Sequence, residues 1–399
     1  MKKLLFVIVL ILCSGLGYGQ QPGALLSSEA YISHFGNLKN TVYRIKSEKK
    51  LTIAFLGGSI TNMIGWRDKV SRFLSDTYPN VGFEFINAGI PSLGSLPHAF
   101  RLRHDVLSKG RIDLLFVESA VNDRVNGTDS LTQRRALEGI VRHTLHVNPY
   151  TNVVLMAFVD EDKMADYHAG KTPVEVQVHE QIAQKYHLPF INLAKEVTDR
   201  IDGHEFNWKD DFKNLHPSPF GQEIYFKTIR QLLSAELNKP VPVRLMAAVL
   251  PQPDDPFNYE NGDYLDIDKA KINDKFKLEG NWQPADSVGT RPGFVHVPML
   301  VAEKPGASLE LPFNGRAIGI GVVAGPDAGI INYTIDGKNY PVLNLYTKWS
   351  KSLHLPWYLM LGDGLTPGKH VLKLQLSDQH DPRAKGTACR IEYFLVNNP

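Results

Sequence analysis

The chain has 399 residues, of which 43% are apolar and 22% charged, a composition ordinary for folded protein, and its length calls for two domains at about 100–200 residues each. The formal net charge of +2 comes from Lys2 and Lys3, which open a segment without acidic residues. The remaining body is formally neutral, which excludes a broad basic face for nucleic acid and still allows a locally basic pocket.

Met1-Lys2-Lys3, the apolar stretch Leu4 to Leu12 and the small residues ending at Gly17-Tyr18-Gly19 have the layout of a secretory signal peptide. Residues 1–19 are therefore expected to be removed, with the product exported to the periplasm or the medium. The apolar stretch falls short of the roughly 20 residues of a membrane span, so no stable membrane insertion is expected. Bulky Leu12 before Cys13 argues against a lipid anchor, and Cys13 leaves with the leader. Cys389 then has no partner for an internal disulfide, and its alternating strand-like surroundings predict a buried, small apolar role.

Residues 20–240 alternate short apolar runs with segments of helical period, the pattern of βαβ units and a parallel sheet. The runs are Leu51 to Leu56, Phe83 to Asn87, Leu114 to Glu118, Val153 to Ala157 and Pro189 to Leu193. The predicted helices are Trp66 to Tyr78, Leu96 to Ser108, Ser130 to Val147, Pro173 to Tyr186 and Gly221 to Glu236. Five runs fit a doubly wound sheet, whose ligands bind at the carboxyl ends of the strands. Clustered prolines over 241–256 predict an extended linker. Residues 257–399 are short alternating segments separated by Gly, Pro and Asp-Gly turns, such as Asp336-Gly337, which reads as an all-β sandwich of jelly-roll type.

The chemistry gathers after the strands. Gly57-Gly58-Ser59 follows the first run, Asn87-Ala88-Gly89 the second and Glu118-Ser119-Ala120-Val121-Asn122 the third, while His216 stands on a loop before the last helix. Two glycines permit a tight strand-to-helix turn that would present Ser59 at the crevice. Ser59, Gly89, Asn122 and His216, each following its own element, resemble the four blocks of the SGNH (GDSL-like) hydrolase superfamily, in its exported bacterial form with a C-terminal β-sandwich. The resemblance covers residues 50–236 and implies a three-layer α/β/α, flavodoxin-like catalytic domain. It implies Ser59 as nucleophile and His216 as general base. The N–H groups of Ser59 and Gly89 and the Asn122 amide would form the oxyanion hole. The family's aspartate three residues before the histidine is here Lys213. Asp211 is the favoured substitute, with Asp210 beside it, and a backbone carbonyl orienting His216 is the alternative.

Arg101, Arg103, Arg124 and Trp208 lie in or beside these blocks and are candidates for binding substrate, an arginine fork suiting a carboxylate or sulfate. The competing reading pairs Arg101 and Arg103 with Asp105 or Glu118 on a solvated helix face. His168, His179 and His187 lack metal-ligand spacing and read as surface residues, and Asp266-Ile267-Asp268 lacks the glycine and glutamate of a calcium loop. No metal or cofactor is expected. Trp349, Trp357 and Tyr358 are candidates for stacking on sugar, against core or seam packing. The leading expectation is an exported serine esterase removing O-acyl, above all O-acetyl, groups from oligo- or polysaccharides. The alternatives are a lyase or dehydratase on uronic-acid oligosaccharides using the same histidine, and a noncatalytic glycan-binding protein.

Overall fold

The computed structural model describes residues 26–399, so the leader of residues 1–19 and Cys13 lie outside the described residues. Among the described residues the first domain holds six strands: β1 (Ile32–His34), β2 (Lys50–Gly57), β3 (Gly82–Gly89), β4 (Leu114–Glu118), β5 (Asn152–Ala157) and β6 (Pro189–Asn192). Ten helices surround them: α1 (Lys39–Tyr43), α2 (Ser59–Asn62), α3 (Trp66–Thr77), α4 (Ser95–Asp105), α5 (Ala120–Asn126), α6 (Ser130–Val147), α7 (Glu161–His168), α8 (Val174–Lys185), α9 (Leu193–Asp202) and α10 (Pro219–Leu237). The sheet runs β1-β6-β5-β4-β2-β3, parallel except for β1, which joins β6 antiparallel at the edge. The five predicted strands are all present in this sheet, and β1 was too short to show a periodicity in the sequence.

Residues Leu51 to Gly57 of β2 and all of β4 are buried, as strands with helices on both faces must be. The order of the five parallel strands is the flavodoxin-like one, and the order in which strands are added to the sheet reverses between β2 and β4. The crevice at the carboxyl ends of those two strands is where such sheets bind ligands. His179, expected at the surface, is fully buried on α8, with its Nδ1 2.7 Å from Glu175 O. Burial pushes its pKa down to about 4, which keeps the imidazole neutral.

The proline-rich stretch forms neither helix nor strand and lies along the first domain. Met246 N–H donates to Asn40 Oδ1 at 2.8 Å, Ala248 N–H to Pro149 O at 2.7 Å, and Arg142 Nη1 to Pro251 O at 2.7 Å. The second domain follows with β7 (Gly262–Leu265), β8 (Lys271–Ile272), β9 (Lys277–Trp282), β10 (Val297–Ala302), β11 (Ser308–Gly315), β12 (Ala317–Ala324), β13 (Ile330–Ile335), β14 (Lys338–Asn339), β15 (Leu343–Asn344), β16 (Leu355–Gly362), β17 (Gly368–Leu376) and β18 (Cys389–Asn397). One sheet runs β16-β12-β18-β10-β9 with β7 on β18, the other β14-β13-β17-β11-β8 with β15 on β13, and the pairs are antiparallel. Leu309, Leu311, Leu372, Leu374 and Ile391 fill the space between the sheets. Cys389 is buried there, and desolvation pushes its thiol up to about 12.

The two domains share a seam. Arg135 on α6 bridges Asp255 and Asp363, each at 2.7 Å, and Tyr259 is fully buried against Phe100, their rings 5.1 Å apart. A Cβ on Gly139 would come within 2.6 Å of the Tyr259 backbone, so this mid-helix glycine lets the second domain approach α6.

Candidate active site

Strand β2 ends at Gly57, Gly58 precedes the next helix, and Ser59 is the first residue of α2. A Cβ on Gly58 would lie 2.0 Å from Asn122 Oδ1, so glycine is what lets the turn and the Asn122 side chain meet. Ser59 N–H, at the first helical position, has no preceding turn to receive it and makes no hydrogen bond among the described residues. Asn122 lies in the first turn of α5, directly after β4. Beside it Asp123 is fully buried and accepts hydrogen bonds from Ser95 N–H at 2.8 Å and Ser95 Oγ at 2.9 Å, which ties α5 to the start of α4. Burial pushes the Asp123 carboxyl up to about 7.

His216 comes from the far end of the domain, on the loop before α10. Its Nε2 is 2.8 Å from Ser59 Oγ. With the hydroxyl donating, the imidazole proton sits on Nδ1 and Nε2 is the basic nitrogen. Asn214 Oδ1 accepts His216 N–H at 2.8 Å, an Asx turn that fixes the backbone. Partial desolvation and then the charge of Arg291 lower the His216 pKa from 6.5 and favour the neutral base.

Several predicted site residues are placed elsewhere, each for a physical reason. Asp211 does not orient His216: residues Trp208–Phe212 wind into one helical turn, and the Asp211 carboxylate turns back to accept Asn207 N–H at 2.8 Å. Among the described residues no hydrogen bond or ion pair reaches His216 Nδ1. Gly89 is not an open oxyanion donor, because its N–H donates to Asn87 Oδ1 at 3.0 Å. A side chain there would come within 2.4 Å of Asn62 N, so this glycine serves the passage of α2. Ser92, three residues on, lines the pocket in the left-handed region at φ +74°, and its N–H makes none of the described hydrogen bonds. Asn126 Nδ2 donates to Ser92 O at 2.9 Å and holds that turn.

The three arginines are occupied. Arg101 is fully buried, and its guanidinium donates to Gly57 O at 3.2 Å, Ala88 O at 2.6 Å and Asp105 at 2.6 Å, holding the ends of β2 and β3 from beneath. Arg103 reaches across the seam to Asp263 at 2.8 Å. Arg124 pairs with Asp166 at 2.8 Å and Glu175 at 3.5 Å. Trp208 stacks on Phe212 and donates its indole N–H to Glu161 at 2.9 Å.

The pocket beside Ser59 measures about 170 Å³. From the first domain it takes Ser59, Ser92, Asn122 and His216 with apolar Val121 and Leu215. The second domain adds Arg291, Trp349 and Leu353. Trp349, singled out in the sequence, is 41% exposed at this pocket. Trp357 and Tyr358 lie on β16 at the seam instead, the Tyr358 hydroxyl 2.6 Å from that of Tyr264. No sequence signal pointed to Arg291, which sits in a loop 75 positions beyond His216. A positive φ at Ser92 is equally hard to foresee in a residue that seldom adopts it.

Residues 55–224 match the model of the GDSL-like Lipase/Acylhydrolase family, so the first domain carries a GDSL-like hydrolase domain. Two crystal structures of a two-domain esterase active on acetylated mannans, one co-crystallised with mannopentaose, superpose on 93% of this chain and 98% of their own. They are 20% identical to it, with TM-scores of 0.73 and 0.74, a likeness that establishes the two-domain fold. No curated protein matches the chain by sequence. Among the described residues no helix is long and apolar enough to cross a membrane.

Proposed function

We propose, starting from a GDSL-like domain whose Ser59 and His216 meet in a pocket roofed by a second domain, that the protein is an exported serine esterase removing O-acyl, above all O-acetyl, groups from carbohydrates during polysaccharide degradation. The observation that carries this reading is the 2.8 Å contact between Ser59 Oγ and His216 Nε2, beside donors that no other group among the described residues engages. As Oγ attacks the acyl carbon, Nε2 takes its proton, and the carbonyl oxygen becomes an oxyanion facing Ser59 N–H, Ser92 N–H and the Asn122 amide. His216 then returns the proton to the departing sugar hydroxyl, and water repeats the sequence on the acyl-enzyme. At about 170 Å³ the pocket is below the roughly 300–1,000 Å³ of sites that enclose a drug-sized ligand, which suits a small acyl group with its sugar outside. The action of the two-domain neighbour on acetylated mannans supports a carbohydrate ester. Elimination on uronic-acid oligosaccharides would need Nε2 free for a carbon-bound proton, and Ser59 holds that nitrogen.

Acetate release from O-acetylated oligosaccharides, followed enzymatically, is the test. Wild type releases acetate, and Ser59→Ala lowers the rate by about 10⁴-fold or more. No release from any acylated sugar, or undiminished release by the variant, overturns the reading.

A further inference from the structure

Arg291 sits differently from the arginines that sequence reasoning selected. Arg101, Arg103 and Arg124 each have a carboxylate within 2.8 Å, whereas Arg291 has no carboxylate partner among the described residues. Its one described hydrogen bond is a long 3.4 Å contact from Nε to Ser92 Oγ. It is half-buried, and no acidic residue lines the pocket it enters. A single permanent positive charge, partly withdrawn from water and uncompensated by the protein, costs free energy that an anionic ligand would offset. An acetyl ester on a neutral sugar contains no such anion. The Nη edge of the guanidinium, unengaged in the fold, is the edge that grips a carboxylate with two parallel hydrogen bonds.

We propose that Arg291 is a specificity residue that binds a substrate carboxylate, so that the esterase prefers acylated glycans bearing an anionic group within one sugar of the ester. The inference deepens the esterase reading and rests on it. The carboxylate has two possible sources with the same chemistry, a uronate sugar or a dicarboxylic acyl group.

The test compares kcat/KM on O-acetylated galacturonate oligosaccharides, O-acetylated neutral xylo-oligosaccharides and a hemisuccinate ester of the neutral sugar. Wild type favours an anionic substrate over the neutral acetyl ester by about 10- to 100-fold, the worth of hydrogen bonds to a charged group. A uronate preference locates the carboxylate on the sugar and a hemisuccinate preference locates it on the acyl group. Arg291→Gln brings the ratio near one, mainly through KM, while Arg291→Lys keeps part of it. Arg72→Gln, which removes the same charge from an exposed position on α3, leaves the ratio as in wild type. A second readout needs no turnover: calorimetric binding of unacetylated galacturonate oligosaccharides to Ser59→Ala protein, weakened by added salt and lost on Arg291→Gln. Ester turnover with a ratio near one in wild type overturns the role of Arg291 and leaves the esterase standing. Arg291-dependent galacturonate binding without any ester turnover does the reverse.

Discussion

On the serine side of the pocket, Ser59, Ser92 and Asn122 stand on elements locked by polar groups, the buried Arg101 fork under β2 and β3, the buried Asp123 contacts to Ser95, and half-buried Asn126 on the Ser92 carbonyl. On the histidine side, His216 rides a loop whose hydrogen bonds are local, from its own N–H to Asn214 Oδ1 and from Ser218 N–H to Phe212 O, with buried Phe212 as the anchor. The difference separates two requirements of catalysis. Oxyanion donors gain most from being fixed in advance in a site that water cannot reorganise. A base must only reach Ser59 with the right nitrogen unprotonated, and here that state is favoured by desolvation and then by a neighbouring cation, with no acid among the described residues holding the ring.

This contrast can be broken at either side. The largest effect is expected on the serine side, where Asn122→Ala lowers kcat by about 100- to 1000-fold with KM little changed and the circular dichroism spectrum intact. A loss under about 10-fold removes Asn122 from the oxyanion hole. Next, Arg101→Met removes the guanidinium donors to Ala88 O, Gly57 O and Asp105 and destabilises the fold by about 3 kcal/mol in urea denaturation, with activity per folded molecule also reduced because the ends of β2 and β3 lose their tie. An unchanged unfolding midpoint would contradict the buried fork. The pH profile probes the other side. With its pKa lowered, His216 stays neutral below pH 6.5, so the acid limb of kcat/KM lies below 6.5, and Arg291→Gln, by removing the adjacent positive charge, moves that limb to higher pH. An acid limb above 6.5 would show an orienting carboxylate at work. The smallest effect belongs to Asp211→Asn, which changes kcat by less than about 3-fold, against the roughly 10⁴-fold loss expected of a triad acid. A large loss there would make the loop around His216 rearrange on substrate binding.

How much of this was legible in the sequence follows from how far each feature lies from its cause. Ser59 and Asn122 were found because each directly follows a buried strand, and the carboxyl end of such a strand faces the crevice by the geometry of the fold. His216 was found through the family pattern. The five parallel strands and helix Ser130–Val147 carry long, clean periodicities, whereas β1, at three residues, does not. Asp211 was misjudged because one helical turn reverses a side chain that chain proximity alone would aim at His216. Arg101 was misjudged because an arginine on an amphipathic helix reads as solvated until the helix is seen to bury that face. Arg291 and Trp349 reach the site through tertiary approach of another domain, which no local pattern encodes.

Tyr259, Trp282, Phe294, Met299 and Leu395 of the second domain belong to the same contiguous apolar core as Phe55, Phe100 and Leu137 of the first. The boundary between the folds is therefore not a boundary in packing, and the chain cannot be treated as an enzyme with a detachable appendage. Were the β-sandwich exchanged for another module, the exchange would strip apolar cover from α4 and α6 and remove the wall of the pocket in one event.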